Sequence, residues 1–256
     1  MSSELLTLNR TLYCRNMKPL LRNSLSLGMQ NELHQHISSD WDNKNLRVII
    51  LQSEGSVFSS GHNLKEFDFE KNDKILLKQV FNAATKLMIS IAECPVPVIA
   101  CVNGVAAAAG CQLAAQCDIV VASEKSSFLT PGANFGVFCS TPGIPIARTV
   151  SRKMALYMIT TGLPISAQEA KSAGLASVVC KEEQLQDEVN KICQSIIMKS
   201  RYVVSKGKKF FYQQVEMDGR KAYEMGEIEM ITRISEHDGQ EGIKCFIEKR
   251  KPNWKH

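Results

Sequence analysis

The chain has 256 residues, 44% hydrophobic and 22% charged, the balance of one large globular domain or one domain with a helical appendage. That length buries a substantial core without disulfide or metal staples. No apolar run approaches the length of a membrane span, and no repeat or low-complexity tract interrupts the chain. The net charge of +5 is unevenly placed. Residues 199–209 carry Lys199, Arg201, Lys206, Lys208 and Lys209 with no acid, and residues 244–256 carry five cations against Glu248 alone. Such stretches serve phosphates, nucleic acid or a membrane surface, or are solvated helical faces. Nine scattered cysteines without a CxxC pair exclude the common zinc and thioredoxin motifs and suit a reducing compartment.

Residues 1–30 are basic and acid-poor, the flavour of a mitochondrial presequence. Within them Leu5–Asn9 reads as a short strand, and residues 10–21 show no clear period. Leu25, Met29, Leu33 and Ile37 recur every four residues and predict an amphipathic helix. Arg47–Gln52 (RVIILQ) is a buried strand by its β-branched run, and leads into the turn-rich Ser53–Asn63. Leu76, Leu77, Val80, Ala84, Leu87, Met88 and Ile91 predict a second helix, stopped by Pro95 and Pro97. Val96–Val102 and Ile119–Ala122 are short apolar strands flanking Asn103–Gln116, a small-residue helix start. Strand and helix alternate, which argues an α/β fold. Ser166 with Glu169 is a capping box and Gly174 fits the helix end. Leu185, Val189, Ile192 and Ile196 give a further helix. The last sixty residues read as helical, broken at Asp238–Gly239 and ended by Pro252.

Two segments carry candidate chemistry. In Val57–Leu64 (VFSSGHNL), Gly61 lets the backbone turn sharply, which aims the Ser60 NH into a cleft. In Asn103–Leu113 (NGVAAAAGCQL), small residues surround a helix start, whose first NH groups lack internal partners and sit at the positive dipole end. Two such NH groups converging on one point make an oxyanion hole. Alone, each segment is also an ordinary turn or a closely packed helix.

In these segments and their flanks the sequence resembles the crotonase superfamily, the enoyl-CoA hydratase/isomerase family, from about Leu20 to the C-terminus. The similarity rests on RNSLSLGMQNEL (Arg22–Leu33), VFSSGHNL, PVPVIACVNGVAAAAGCQLAAQCDIVVAS (Pro95–Ser123), GLPISAQEAKSAGLASVV (Gly162–Val179) and GIKCFIEKRKP (Gly242–Pro252). The resemblance implies a crotonase-like spiral of ββα units over residues 1–195, with a C-terminal helical trimerisation region over 196–256. It implies a homotrimer or hexamer in mitochondria. It also implies an acyl-CoA thioester as ligand, with coenzyme A as part of that ligand and no permanently bound cofactor or metal. By position it assigns the oxyanion NH groups to Ser60 and Ala109. It assigns a CoA channel to Ser24, Ser60 and Leu64, and C-terminal CoA contacts to Phe246 and Lys249. The basic tail then has a task, since CoA carries phosphates that Lys and Arg pair with.

The chain departs from the family where hydration needs carboxylates. Gln112 stands in place of one glutamate and Gly132, after Pro131, in place of the other. An amide does not titrate and glycine has no side chain, and general acid–base help is worth ~10²–10⁴-fold. Residues 10–19 are also longer than the family's usual turn there. The expectation is a thioester-binding protein without ordinary hydratase activity. Decarboxylation and thioester hydrolysis are alternatives that lean on the oxyanion hole alone.

Other candidates read as bland. His62 is titratable near neutral pH and matches a histidine of some family decarboxylases, but reads first as a surface turn residue. His34 and His36, two apart on a helix, cannot chelate together. Cys111 and Cys139 read as buried small hydrophobes. Asp118, Glu124 and Glu54 are carboxylates that folding could bring near. An RNA-binding role through Lys206, Lys208 and Lys209 ranks below the thioester reading, and no DNA partner is expected. Interleaved aromatics are sparse and no RNA motif is visible.

Overall fold

A computed structural model of the chain describes residues 10–13, backbone alone, together with 22–70 and 73–255. The Leu5–Asn9 strand and most of the basic N-terminal stretch lie outside the described residues. The fold is a spiral. A strand in one parallel sheet passes to a strand in a second sheet, a helix follows, and the pattern repeats. The first sheet has the order β1 (Arg10–Tyr13), β2 (Ile49–Gln52), β4 (Val98–Val102), β6 (Ile119–Ser123) and β9 (Val178–Cys180), all parallel. The second has the order β3 (Val57–Ser59), β5 (Val105–Ala107), β7 (Ser127–Leu129) and β8 (Ile165–Ser166), with only β8 antiparallel. β2 and β3 lead to helix α2 (Lys74–Glu93), β4 and β5 to α3 (Ala109–Gln116), and β6 and β7 to α4 (Ser140–Thr149) and α5 (Arg152–Thr161).

The first sheet is buried on both faces, which is why its strands read as unbroken apolar runs. Ile49, Leu51, Val98, Ala100, Val102, Val120 and Ala122 face the main core. The intervening Val48, Ile50, Ile99, Cys101 and Val121 face the other way, onto Leu185, Val189 and Cys193 of a helix here called α7 (Leu185–Ile197). This is the period of two that a strand imposes. Helix α1 (Leu27–Ser38) buries Met29, Leu33 and Ile37 as the four-residue spacing predicts, and starts after the N-cap Ser26. The capping box at Ser166 and Glu169 forms and opens α6 (Ala167–Ala173), which ends at Gly174. Helix α2 is 20 residues long and apolar enough to cross a membrane by length and composition, which the run-length reading overlooked. Its Val80, Ala84, Leu87, Met88 and Ile91 are nevertheless buried, and it packs against α1.

Three features differ from the sequence reading. Arg10–Tyr13 forms a strand although its sequence shows no period, because pairing with β2 supplies the order. Ser140–Thr161 forms two helices, Ser140–Thr149 and Arg152–Thr161, although Pro142, Gly143 and Pro145 are helix-breaking residues. The tail is three helices, α8 (Arg201–Gln214), α9 (Gly219–Ser235) and α10 (His237–Glu248), each preceded by Ser200, Asp218 or Glu236 as cap. Its breaks therefore fall at 215–218 and at Glu236, with Asp238 and Gly239 inside the first turn of α10. Gly239 is required there because a Cβ would collide with the Arg233 carbonyl.

Two cations of the basic stretch 199–209, Arg201 and Lys208, are bonded into the fold. Arg201 donates to the Leu46 carbonyl at 2.9 Å and the Trp41 carbonyl at 2.6 Å. The Lys208 ammonium spends its three donors on the Ile91 carbonyl (2.9 Å), the Val96 carbonyl (3.0 Å) and Asp118 Oδ2 (2.6 Å). Asp118 also accepts from the Tyr212 hydroxyl (2.9 Å) and the Val98 NH (2.6 Å). It is thus the hub that pins α8 to the sheet. Asp118→Ala leaves a buried ammonium unpaired, so urea unfolding should show a loss of about 3–5 kcal/mol.

Candidate functional site

The first segment enters from β3. Ser59 is buried, and its hydroxyl accepts from the Gly61 NH at 3.2 Å. Gly61 has φ +90°, and a Cβ on it would stand 2.9 Å from the Ala108 Cβ and 3.2 Å from the Ala109 nitrogen. Beside it runs the segment before α1. The Ser60 NH donates to the Arg22 carbonyl at 3.1 Å, and the Leu25 NH to the Gly61 carbonyl at 2.7 Å. Asn23, at φ +54°, is held by donating from Nδ2 to the Glu54 carbonyl (2.9 Å) and the Val57 carbonyl (2.6 Å). The Ser60 NH, aimed into the cleft by the sequence reading, is therefore committed to the backbone. The His62 NH has no hydrogen-bond partner among the described residues. Which NH the turn leaves open depends on the flanking segment 22–25, which the local sequence does not reveal.

The second segment comes off β5. Ala108 has φ +51° and ψ −118°, a conformation that costs a non-glycine residue on the order of 1–3 kcal/mol. Its NH donates to the Leu129 carbonyl at 2.9 Å, and its carbonyl accepts the Gln112 NH at 3.0 Å. No side chain caps α3, so the NH groups of Ala109, Gly110 and Cys111 are left without intrahelical partners. A Cβ on Gly110 would come within 2.7 Å of the Ser59 Cβ and strike the Ser59 carbonyl. The two segments thus meet in van der Waals contact, with Ala109 at the junction.

Neither carboxylate position holds a carboxylate. Gln112 is 5% exposed, and its Oε1 is buried with no partner. Gly132 lies in the short 3₁₀ turn Pro131–Phe135. Its NH donates to Cys139 Sγ at 3.3 Å and its carbonyl accepts the Val137 NH at 3.0 Å. A Cβ at Gly132 would stand 2.6 Å from Cys139 Sγ and run into the Val137 carbonyl. The loop has therefore closed over the space in which a second carboxylate side chain would begin. Cys111 and Cys139 are buried as expected; burial pushes the Cys111 thiol up to about 12 and raises that of Cys139. Asp118 is spent on Lys208 and Tyr212, and Glu54 and Glu124 are exposed. Sequence reasoning missed Glu66, in the 3₁₀ turn Leu64–Phe67. Its carboxylate accepts the Leu27 NH at 3.1 and 3.2 Å, tying that turn to the start of α1, and burial raises its pKa.

The bonds from Ser60 to Arg22 and from Leu25 to Gly61 set the segment that holds Ser24 alongside Ser60, and Leu64 opens the 3₁₀ turn that follows. Ser24 and Ser60 are half-buried and Leu64 is 63% exposed. Phe246 is 87% exposed at the end of α10, and Lys249 caps that helix with φ +55°. Helix α10 packs on α8 and α9, so one chain does not bring these two residues to the others. Among the described residues no cluster of His, Cys, Asp and Glu could hold a metal ion. A cavity of about 1340 Å³ lies between the C-terminal helices, lined by Phe210, Tyr223, Met230, Ile234 and Ile243, and does not include the site.

His62 is not a surface residue. Its ring centroid lies 5.5 Å from that of Phe67 and 5.3 Å from that of Phe81, and both ring nitrogens are buried without a hydrogen-bond partner. Burial holds the imidazole below its usual pKa, only partly offset by the nearby Leu25 backbone. The folded state thus prefers the neutral ring. Stability is full above the unfolded value of about 6.5 and falls as pH drops from there toward the folded value. His62→Phe should flatten the loss of urea stability between pH 7.5 and pH 5.

A family profile described as enoyl-CoA hydratase/isomerase matches residues 13–256. Human enoyl-CoA hydratase domain-containing protein 3, mitochondrial, is 52% identical over 238 residues, spanning 93% of this chain and 78% of that protein. Its Xenopus laevis counterpart, also named as mitochondrial, is 52% identical over 93% of this chain and 81% of that one. The crystal structure of the human protein superposes with a TM-score of 0.94 at 50% identity, covering 97% of both chains. That of an enoyl-CoA hydratase from Mycobacterium smegmatis gives 0.91 at 36% identity, covering 96% of this chain and 95% of that one. With these relatives the chain is placed in the mitochondrion, and it belongs to the enoyl-CoA hydratase/isomerase family, the crotonase superfamily.

Proposed function

We propose that this protein binds an acyl-CoA thioester and holds its carbonyl oxygen between the NH groups of His62 and Ala109, without ordinary enoyl-CoA hydratase activity. The observation that carries this reading is the contact of the two segments at Gly61 and Ala108–Ala109, which sets an open helix NH beside an open turn NH. Two preorganised donors stabilise developing charge on a carbonyl oxygen. Hydration also needs a base for water and an acid for the α-carbon, and Gln112 and Gly132 supply neither. The first donor is His62, not Ser60, because the Ser60 NH is already bonded to Arg22.

Ser24, Ser60 and Leu64 line the channel for the CoA arm, and coenzyme A belongs to the ligand, not to a resident cofactor. Residues 196–256 form the oligomerisation region of a homotrimer or a pair of trimers. Exposed Ile228, Met230, Ile231, Phe246 and Ile247 there support such a contact, which would carry Phe246 and Lys249 to a neighbour's ligand. A transit peptide ahead of β1 and a role in fatty acid metabolism complete the proposal. An RNA-binding role through Lys206, Lys208 and Lys209 ranks below this reading, and of these Lys208 is bonded to Asp118 and to two backbone carbonyls.

Titration calorimetry should detect butyryl-CoA binding, while crotonyl-CoA hydration by the wild type stays at background. Gln112→Glu restores one carboxylate and should add hydration. A glutamate at Gly132 has no room, because the Val137 carbonyl and Cys139 Sγ block its side chain. Brisk wild-type hydration would mean that another acid serves. Absence of acyl-CoA binding would remove the thioester reading.

A further inference from the structure

The two basic stretches of the sequence, 199–209 and 244–256, meet in the fold. Trp254 Nε1 donates to the Met198 carbonyl at 2.9 Å. The Lys255 NH (3.0 Å) and the Ser200 hydroxyl (2.5 Å) donate to the two oxygens of the Asp238 carboxylate, which is 1% exposed. A further cation arrives from just before β2, where Arg47 donates from Nη2 to the Lys199 carbonyl. Arg47 and Arg201 line one cleft, together with Val96, Ile196 and Val204.

Both guanidiniums are positioned by backbone carbonyls, not by carboxylates. Arg201 uses Nε and Nη2 on the carbonyls of Leu46 and Trp41. Arg201 Nη1 and Arg47 Nε and Nη1 carry no hydrogen bond, and neither side chain has an ion pair, among the described residues. Asp42 and Glu93 on the flanking segments are exposed and pair with neither arginine, and Asp238 faces inward. Burial, and after it the Arg201 cation, hold Arg47 below its usual pKa. Like charges held together repel unless an anion lies between them. Guanidinium forks match phosphate oxygens in both geometry and charge. The cleft lies at the N-terminal edge of the first sheet, ahead of β2 and β4, whereas the thioester junction lies beyond the C-terminal ends of β3 and β5 in the second sheet. We propose that Arg47 and Arg201, with the exposed Lys199 beside them, form a phosphate-binding site separate from the thioester site. A soluble phosphate compound and a phospholipid headgroup present the same chemistry to it.

The test uses the full chain as wild type, Arg47→Gln, Arg47→Lys and Lys171→Gln, the last an exposed cation on α6. The probes are inorganic pyrophosphate, and phosphatidylcholine vesicles with and without cardiolipin. Calorimetry at fixed ionic strength should detect pyrophosphate binding to the wild type. Arg47→Gln should weaken it at least about tenfold, the worth of a hydrogen bond to a charged group. Arg47→Lys keeps the charge without the fork and should fall between the two. Lys171→Gln should match the wild type, and Arg47→Gln should leave butyryl-CoA affinity unchanged. Capture by the cardiolipin vesicles alone, lost in Arg47→Gln, makes the phosphate a lipid headgroup. Pyrophosphate binding without capture makes it a soluble phosphate compound. A wild type that neither binds pyrophosphate nor is captured overturns the site. So does binding that survives Arg47→Gln, or an equal loss in Lys171→Gln, which reduces the effect to net charge. A matching loss of butyryl-CoA affinity in Arg47→Gln would assign the arginines to the phosphates of coenzyme A and overturn a separate site.

Discussion

Two stretches of backbone approach each other as closely as peptide atoms can, and only because two side chains are missing. Gly61 lies against Ala108 and the Ala109 nitrogen, and Gly110 against Ser59. A methyl group at either glycine would displace main chain, not a flexible side-chain end. The open NH of the turn and the open NH of the helix are neighbours for this reason alone. The spiral supplies the rest. β3 and β5 are adjacent in the second sheet, so the turn leaving one and the helix leaving the other start side by side. The first sheet, buried on both faces, fixes where those strands begin.

Around this junction neither Gln112 nor Gly132 offers a carboxylate, and the two positions differ in structure. At Gly132 the loop is bonded to itself through Val137 and Cys139, so the space for a side chain no longer exists. At Gln112 the opposite holds, since a polar side chain remains with an unmet hydrogen bond. One position was closed and the other kept polar.

Much of this was legible in the sequence because it depends on local pattern. The RVIILQ strand, the four-residue period of α1, the capping box at Ser166 and the small-residue start of α3 each carry their signal within a few residues. So does the absence of carboxylates at Gln112 and Gly132. What was not legible depends on partners far along the chain. The Ser60 NH is taken by Arg22, thirty-eight positions earlier, which moves the open donor to His62. His62 reads as a turn residue until Phe81 arrives from α2. The basic run at 199–209 reads as a charged surface until Asp118 and the carbonyls of Ile91 and Val96 absorb Lys208. The helices over Ser140–Thr161 were hidden by prolines that a first turn tolerates or tertiary packing overrides.

A crystal structure with butyryl-CoA bound examines the placement of the carbonyl directly. The account predicts the thioester oxygen within about 3 Å of both the His62 and Ala109 nitrogens, with the Ser60 NH still bonded to Arg22. An oxygen bonded to the Ser60 NH with the Arg22 carbonyl displaced, or a thioester seated away from Ala109, would contradict it.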